Sequence, residues 1–500
     1  MPIRPSNALI LAAALAVPYS AGAQPATDFE RYVRAGMEAW EVPGLAVAVV
    51  RGDEITFMGG FGLRELGKPD RVDVHTRFAI GSITKTFTAT LVGMLADDGL
   101  LDIDRSVSEA LPGFVLRDPY VTREVTLRDL LSHRTGVAGG DLLWASGDLT
   151  RDEIVHRLRF LPQTWSLRSR FDYSNVMVIA AGQAVAAVSG RSWDEVVRQR
   201  LLGPLGMTES VTSVRDLPAI RNVATPHDPA STGPIPVPWR NMDNTAASGG
   251  INSSIHDMAR WVRFQLTNGV WDGRPLVSRG YVDEMRRPQT LIRREGAWAR
   301  MSPDAHFMAY GLGWIMSDHA GRLLLQHGGG IDGMSAMMGL MPEEGIGVVV
   351  LSNLNGNQLP AALMLRAIDQ ALGLPDTDWS ARFLEETRQA IAAAEQAERS
   401  SLPPTSGATT PSLPIEGYAG TYRDETLGSA VVSVEGGKLM FRYGTQFRGE
   451  LEHVSHDVFR AHWENPARGT NYVSFTLDAL RNAASVDLHL WVTAHFERDR

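Results

Sequence analysis

The sequence predicts an α+β fold in which a mostly antiparallel sheet is flanked by helices and interrupted by an all-helical insert. A small all-β, barrel-like domain follows it. Three observations predict this arrangement. Two β-rich runs near the start of the chain and several more within 311–351 enclose mainly helical patterns. A segment rich in Pro, Ser and Thr, 400–414, indicates a linker. The tail beyond it alternates short strand patterns with turn residues, which is typical of a small barrel or sandwich.

The first 23 residues have the pattern of a signal peptide. Arg4 supplies a positive charge, residues 8–17 form an apolar run, and Ala-Gly-Ala at 21–23 is a small-x-small cleavage site. We therefore expect the mature chain to begin at Gln24 and to be periplasmic or secreted. The apolar run is too short for a spanning helix and no later segment is apolar enough, so we expect no membrane span after the signal is removed.

The first part of the mature chain predicts a helix, a hairpin and a second helix. Residues 28–41 place apolar side chains on one helical face. The β-rich runs 45–50 and 55–62 flank an Arg-Gly-Asp-Glu turn, which is a hairpin signal. The second helix, 84–96, ends just before Gly99.

Helical patterns then dominate to about residue 300, and strand patterns return after it. Further helices are predicted at 127–131, 176–188, 193–200 and 255–266, with a long Pro-rich loop at 222–244. Strands are predicted at 311–316, 322–326, 335–341 and 346–351, and a helix at 359–372. The simplest assembly is one antiparallel sheet closed by distant parts of the chain.

These patterns divide the chain into four parts. After the signal peptide, 1–23, we assign 24–378 to the mixed domain, 379–414 to a helix and linker, and 415–500 to the all-β domain. Strands of the last part are predicted at 418–422, 430–434, 438–443, 451–454, 458–463 and 472–477.

Composition and charge exclude several classes of protein. The chain has 500 residues, of which 44% are hydrophobic and 21% charged, as is ordinary for a globular protein. The formal net charge is -9 without a long basic run, which argues against nucleic acid as a partner. The absence of cysteine excludes disulfides, thiol catalysis and cysteine-ligated metals. The histidines show no metal-ligand spacing, so we expect no metal and no other cofactor.

Ser82-Ile83-Thr84-Lys85 is the stretch that points most directly to chemistry. Residues three apart share a helix face, so the lysine ammonium lies beside the serine hydroxyl. Serine needs a neighbouring base to act as a nucleophile, and lysine is that base only if burial or nearby charge lowers its pKa. The alternative is an N-cap serine followed by an exposed lysine, so residues elsewhere in the chain must decide between these two interpretations.

Two further segments supply such residues. In an extended backbone Tyr173 and Asn175 point the same way, and a tyrosine beside an ammonium loses its proton more easily and can relay it. A core tyrosine followed by an Asn helix cap is the alternative. His327 and the three glycines after it offer a side-chain donor and free N–H groups that a substrate can approach. A histidine before a turn is the alternative there.

Together these motifs resemble the serine β-lactamase/penicillin-binding-protein superfamily, in the class C-like branch that includes D-aminopeptidases and esterases. The order matches, with Ser-x-x-Lys first, Tyr-x-Asn about ninety residues later and a strand-borne third motif at 327–329. Flanking segments also match, among them Leu-Leu-Ser-His-Arg-Thr-Gly at 130–136 and Gly-Val-Val-Val-Leu-Ser-Asn at 347–353. The resemblance covers about 28–375 and implies a β-lactamase/DD-peptidase-like fold. The tail is similar to the lipocalin-like domain of some members.

The resemblance implies a role for each residue. Ser82 would be the acylated nucleophile, and Lys85 and Tyr173 would share the proton transfers. The N–H groups of Ser82 and Gly330 would form the oxyanion hole, which stabilises the charge that develops on the carbonyl oxygen.

Substrate would be contacted by Asn175, His327 and Gly329. The chain departs from the family here, because class C β-lactamases and many DD-peptidases carry Lys-Thr-Gly where this chain has His-Gly-Gly. The lysine and threonine help to hold a substrate carboxylate, whereas a histidine is neutral much of the time near pH 7. The departure argues against efficient β-lactam hydrolysis and leaves acyl-enzyme chemistry in place.

The sequence therefore predicts an exported serine hydrolase that cleaves amide bonds, of peptide or D-amino-acid type, or ester bonds in a small-molecule or peptide substrate. The alternatives are a β-lactamase or DD-carboxypeptidase, and a non-catalytic penicillin-recognising sensor. Two roles remain open for the tail domain, which are formation of a homo-oligomer and narrowing of access to the cleft.

Overall fold

The computed structural model describes residues 27–401 and 409–499. The predicted signal peptide, 1–23, lies outside these residues, as does the part of the predicted linker at 402–408. Among the helices that are described, none combines the length and the apolar character needed to cross a bilayer.

An eight-stranded antiparallel sheet forms the centre of the first domain. Its strands are β1 (Gly44–Arg51), β2 (Glu54–Gly62), β3 (Thr290–Leu291), β4 (Met308–Tyr310), β5 (Ile315–His319), β6 (Arg322–Ile331), β7 (Met334–Met341) and β8 (Ile346–Ser352). Their spatial order is β2-β1-β8-β7-β6-β5-β4-β3. Strand β1 pairs with β8, with Val47 opposite Val350. The prediction that distant parts of the chain close one antiparallel sheet is therefore confirmed.

Helices cover both faces of this sheet. The long ones are α1 (Asp28–Ala39), α2 (Thr84–Asp97), α3 (Asn175–Ser189), α4 (Ile255–Leu266), α5 (Leu359–Leu372) and α6 (Trp379–Ser401). Shorter helices include Val107–Ala110, Pro119–Glu124, Leu127–Leu131, Asp141–Ala145, Arg151–Arg157, Trp193–Val197, Ala246–Gly249, Arg279–Met285 and Gly296–Met301. Alternate residues of β1 point to opposite faces. Leu45 and Val47 pack with α1 and α5, whereas Ala46 and Ala48 pack with α2, α3 and α4.

Two predicted strands are wrong in part. Strand β4 ends at Tyr310 and β5 begins at Ile315, so most of 311–316 is a bend. Gly313 in this bend has φ +75°, and a Cβ there would lie 2.9 Å from the Lys85 carbonyl oxygen. Close approach to the helix that carries the Ser-x-x-Lys motif therefore requires glycine at 313. In the tail, Ile415–Tyr418 is a helix and the strand begins only at Gly420.

The second domain is a closed barrel of eight antiparallel strands. They are β9 (Gly420–Asp424), β10 (Gly428–Glu435), β11 (Lys438–Tyr443), β12 (Phe447–Ser455), β13 (Val458–Trp463), β14 (Asn471–Leu477), β15 (Ala483–His489) and β16 (Thr493–Arg498). The first and last strands pair, with Tyr422 opposite Arg498, and this closes the barrel. Strands β15 and β16 were not predicted, and in β15 Ala483 and Ala484 weaken the β pattern.

The barrel packs against the helix Asp141–Ala145 of the first domain. Leu142 and Ala145 belong to the apolar core of the barrel. The Tyr443 hydroxyl donates to the Leu142 carbonyl at 3.3 Å, and the Thr445 N–H donates to the Ser146 carbonyl at 2.9 Å. The two domains therefore share one continuous apolar and hydrogen-bonded contact.

A buried group of three charges joins the barrel to the turn between β6 and β7. Asp332 in that turn contacts Arg240 at 3.2 Å and also pairs with Arg468 of the barrel. Burial lowers the pKa of each guanidinium to about 10. Both desolvated cations therefore contact the same carboxylate, that of Asp332.

Replacing Asp332 with asparagine should destabilise the protein more than Arg468→Met does. The first change removes the carboxylate that both buried cations contact and leaves them only the longer-range attraction of Asp141 and Asp228, whereas the second leaves Asp332 paired with Arg240. Removing one partner of a buried pair costs about 3–5 kcal/mol, and we expect Asp332→Asn to reach the top of that range. Urea denaturation measures the free energy of unfolding. Arg423→Met is the control, since Arg423 pairs with Asp499 at the exposed surface. Equal losses for Asp332→Asn and Arg468→Met would contradict this account.

Candidate active site

Ser82 lies on a tight turn that presents it to β6. The chain runs from the short strand Arg77–Ala79 through the 3-10 turn Gly81–Ile83 into α2, so Ser82 precedes the helix in which the sequence placed it. Gly81 has φ +51°, and a Cβ there would lie 2.8 Å from the Gly330 nitrogen. The turn therefore brings the backbone of residues 81 and 82 against Gly330 of β6, which are the two segments expected to supply the oxyanion hole.

Lys85 is buried directly beneath Ser82. Its Nζ lies 2.9 Å from Ser82 Oγ, 2.8 Å from Asn175 Oδ1 and 2.8 Å from the Ser248 carbonyl oxygen. Burial lowers the pKa of Lys85 to about 7, and the charge of Asp141 opposes this shift. A neutral amine has two N–H groups and one lone pair. If the N–H groups donate to Asn175 and Ser248, the lone pair faces the serine hydroxyl.

Tyr173 packs against this lysine. The centroid of its ring is 4.8 Å from Lys85 Nζ, and its hydroxyl bonds with Ser82. Desolvation raises the pKa of Tyr173 well above its ordinary value, although the bond to Ser82 acts in the other direction. The expectation that the neighbouring ammonium would ease loss of the phenolic proton is therefore wrong, because burial outweighs it. The phenol stays protonated and can donate.

Asn175 is held at both ends of its amide. It begins α3, and its Nδ2 donates to Asp141 Oδ1 at 3.1 Å while its Oδ1 accepts from Lys85. Asp141 also accepts from Trp144 Nε1 at 2.7 Å. The sequence analysis missed Asp141 because no motif marks it, and only the fold places it beside Asn175.

His327 lines the cleft as a neutral ring. Its Nδ1 is 2.7 Å from the Gly328 carbonyl oxygen, which can only accept, so Nδ1 carries the proton. Its Nε2 lies 2.9 Å from the Tyr310 hydroxyl and accepts from it. Burial, and then the charge of Lys85, lower the pKa of His327 to about 3. Both ring nitrogens are therefore engaged within the protein, and the ring brings no charge to the cleft.

A second histidine fixes the backbone of the Tyr-x-Asn segment. His133 is buried, and its Nδ1 accepts the Ser174 N–H at 3.1 Å. Its ring is 4.4 Å from that of Tyr173 and 4.6 Å from that of Tyr310, measured between centroids. In the sequence His133 stands out only as part of the flanking segment 130–136, and its contact with the site becomes visible only in the fold.

The residues predicted as a site converge on one cleft of about 310 Å³. Ser82, Tyr173, His327, Gly329 and Gly330 line it, and Lys85 and Asn175 lie behind Ser82. Other lining residues include Trp298, Met301, Ile315, Met337, Asn355 and Gln358. Within the described parts of the chain, 27–401 and 409–499, no Asp, Glu, Lys or Arg side chain lines this cleft.

A match to the sequence model of a known family shows which family the chain belongs to. The model described as Beta-lactamase matches residues 29–373. The chain belongs to the β-lactamase family. This confirms the resemblance found in the motifs. A second model, described as a domain of unknown function (DUF3471), matches residues 405–499 and so includes the barrel of this β-lactamase-family protein.

Known proteins resemble this family member over most of its length. Unguisins hydrolase ungD of Aspergillus violaceofuscus is 30% identical over 477 residues, which are 87% of this chain and 82% of that protein. The octameric penicillin-binding protein homologue from Pyrococcus abyssi has the same fold, with a TM-score of 0.62 and 22% identity over 94% of this chain and 99% of that one. A D-stereospecific amidohydrolase from Streptomyces sp. has a TM-score of 0.54 and 22% identity. The match covers 66% of this chain and 96% of that one.

Proposed function

We propose that this protein is an exported serine hydrolase that cleaves amide bonds of peptide or D-amino-acid type, or ester bonds, through an acyl-enzyme on Ser82. The observation that carries the proposal is the Ser82–Lys85 pair. A buried amine with a pKa of about 7 lies 2.9 Å from the serine hydroxyl, and no carboxylate contacts that amine within the described residues. This is the arrangement that a serine nucleophile needs.

Acylation uses Lys85 as the base. Its lone pair takes the proton of Ser82 Oγ as Oγ forms a bond to the substrate carbonyl carbon. The N–H groups of Ser82 and Gly330 hold the oxyanion. When the intermediate collapses, the bond to the leaving nitrogen or oxygen breaks, and the proton passes from Lys85 to the leaving group through the protonated hydroxyl of Tyr173. Water then attacks the acyl carbon and gives one proton to Lys85. The bond between the acyl carbon and Ser82 Oγ breaks, that proton returns to Oγ, and the carboxylic acid product leaves.

The neutral cleft favours substrates without a free carboxylate beside the scissile bond. His327 stands where relatives with Lys-Thr-Gly have a cation, and it is uncharged because its pKa is about 3. A carboxylate entering the cleft would lose water without gaining a charged partner there. Internal peptide bonds, amides and esters avoid this cost. The D-stereospecific amidohydrolase among the proteins with this fold makes D-amino-acid amides and peptides the first probes to use.

Matched chromogenic probes test this proposal. The panel pairs a D-amino-acid anilide and an aryl ester with analogues that carry a free carboxylate next to the scissile bond, and adds a penicillin. We expect kcat/KM to be higher for the carboxylate-free member of each pair by about tenfold, which corresponds to about 1.4 kcal/mol. We expect the penicillin to remain intact. In His327→Lys the preference should shift towards the carboxylate analogues, because the new ammonium supplies the missing charge.

The control is His306→Lys, which adds the same charge at an exposed position paired with Asp318. An unchanged preference in His327→Lys would mean that residue 327 does not meet the substrate. Fast, Ser82-dependent loss of the penicillin would identify a β-lactamase. A stable penicillin adduct on Ser82 without turnover of any probe, seen as added mass, would favour a DD-peptidase or a sensor.

The domain contacts bear on the role of the tail. We propose that, in the mature chain without its signal peptide, the all-β domain, 415–500, narrows access to the cleft of the hydrolase domain, 24–378. The barrel packs on the helix Asp141–Ala145, and Asp141 bonds with Asn175 behind the nucleophile. Assembly of a homo-oligomer is the second candidate, because the homologue from Pyrococcus abyssi is described as octameric.

A further inference from the structure

Two histidines and a glutamate from distant parts of the chain meet at the start of α4. His75 Nδ1 lies 2.8 Å from Glu209 Oε1, and His256 Nδ1 lies 3.8 Å from Glu209 Oε2. The two imidazole rings are 5.1 Å apart between centroids. One ligand atom from each of the three residues lies within 4.8 Å of the other two. Three potential metal ligands therefore lie close together, and His256 Nδ1 also lies 3.3 Å from Asp257 Oδ1.

The backbone around these side chains is fixed by hydrogen bonds. The Glu209 N–H donates to Asp257 Oδ2 at 2.8 Å, and the Ser254 hydroxyl donates to the Glu209 carboxylate. The His256 N–H donates to the Val74 carbonyl at 3.1 Å, which ties the segment of His256 to that of His75. The three ligands are thus held in place by contacts that do not depend on a metal.

From this geometry we propose that His75, Glu209 and His256 bind a divalent transition-metal ion of the Zn²⁺ class. Two imidazoles and a carboxylate form a donor set that suits such ions. Ligand atoms on bonds of about 2.0–2.1 Å around a tetrahedral ion lie about 3.3 Å apart. His75 Nδ1 and His256 Nδ1 lie 2.8 and 3.8 Å from different oxygens of the Glu209 carboxylate, and one ligand atom from each residue lies within 4.8 Å of the others, so side-chain rotations can bring the three ligands to that spacing. His75 is half-exposed, so water can take the fourth position.

Other histidine–carboxylate contacts lack this convergence. His306 meets one carboxylate, that of Asp318. His495 meets Asp487 through Nδ1 and Glu497 through Nε2, and the two nitrogens lie on different sides of the ring. Of the His, Cys, Asp and Glu side chains in the described residues, His75, Glu209 and His256 form the only group of this kind. The expectation of no metal rested on sequence spacing, which cannot reveal ligands at 75, 209 and 256.

The site would connect three segments beneath the nucleophile. His75 precedes the strand Arg77–Ala79, which leads to Ser82 and pairs with Asn252–Ser254. Glu209 and His256 lie on the segments beside it. The ion would therefore have a structural role, and its binding does not depend on the proposed hydrolase function. A metal that binds only the folded state raises the unfolding temperature.

Zinc titration of the full-length, tag-free protein tests this proposal. After dialysis against a chelator, isothermal titration calorimetry with ZnCl₂ should show one saturable site per chain, and Zn²⁺ should raise the unfolding temperature. His75→Ala and Glu209→Gln should each lose the site and the thermal shift. Both side chains are partly exposed, so we expect both variants to fold, which circular dichroism verifies. His306→Ala is the control and should bind Zn²⁺ as wild type does.

Two results would overturn the proposal. One is the absence of saturable Zn²⁺ binding by the wild type, which would leave two ordinary histidine–carboxylate contacts. The other is binding that His75→Ala and Glu209→Gln both retain, which would place the ion elsewhere. Neither result bears on Ser82, because the readouts are heat and unfolding temperature rather than turnover.

Discussion

Replacing Ser82 with alanine should abolish turnover of every substrate that the wild type cleaves. Without the hydroxyl no acyl-enzyme forms, and the oxyanion donors alone give little rate. We expect kcat/KM to fall by about 10⁴-fold or more, as for other serine nucleophiles that act with a dedicated base. The measurement is kcat/KM on the best probe of the panel, together with the intact mass of the protein during turnover. The wild type should show the added mass of the acyl group and the variant should not.

A second serine of the same cleft provides the matched comparison. The Ser335 hydroxyl donates to the Leu354 carbonyl at 2.9 Å and, among the described residues, bonds with no Lys or His side chain. Ser335→Ala should therefore lower kcat/KM by about tenfold or less. Unfolding temperatures of both variants check that the fold is kept. Turnover that survives in Ser82→Ala would end the assignment of the nucleophile, and with it the proposed mechanism.

Replacing Lys85 should remove activity and reveal which group controls the pH dependence of kcat/KM. The pKa of Lys85 is lowered by burial to about 7, and the amine must be neutral to accept the serine proton. The wild-type kcat/KM should therefore fall as the pH drops below about 7, and level off above it. Lys85→Met should be nearly inactive at every pH. Its loss of stability should be small, because the lost hydrogen bonds to Asn175 and Ser248 are offset by removal of a group whose charged form is penalised by burial.

Tyr173→Phe distinguishes the role of Tyr173 in proton transfer from that of Lys85. Since desolvation raises the pKa of the phenol, Tyr173 does not titrate near pH 7. We expect Tyr173→Phe to lower kcat/KM by about 10²–10⁴-fold. The decrease of kcat/KM at acidic pH should occur at the same pH as in the wild type. A decrease that disappears or moves by a large amount in Tyr173→Phe would identify tyrosine as the controlling base. A flat wild-type profile between pH 6 and about pH 8 would contradict the role of Lys85 as a base whose pKa is lowered to about 7.

Several elements were predictable because their signals are local. The helices Leu127–Leu131, Ile255–Leu266 and Leu359–Leu372 match the predicted bounds, since caps and apolar periodicity lie within the segment itself. The Ser-x-x-Lys spacing predicts a contact for the same reason, and Lys85 Nζ indeed lies beside Ser82 Oγ. In contrast, the bend at Gly313 depends on contact with α2, and no pattern within 311–316 indicates it.

The state of each group in the site depended on residues far away in the chain. Lys85 bonds with Asn175 and the Ser248 carbonyl, and His327 accepts from Tyr310. A motif reveals which side chains are present, but a pKa follows from how completely the fold removes water and which charges it places nearby. The lowered pKa values of Lys85 and His327 and the raised pKa of Tyr173 all follow from burial.

Local sequence was thus sufficient for the family, the sheet with its helices, and the motif residues of the cleft, because helix periodicity, turn residues and motif spacing act over a few positions. Only the tertiary structure revealed Asp141 behind Asn175, the neutral His327, the closed barrel packed on the helix Asp141–Ala145, and the cluster of His75, Glu209 and His256. These features are contacts between segments that are distant in the chain. Their energies come from burial and distance in space, and neither quantity can be read from one segment alone.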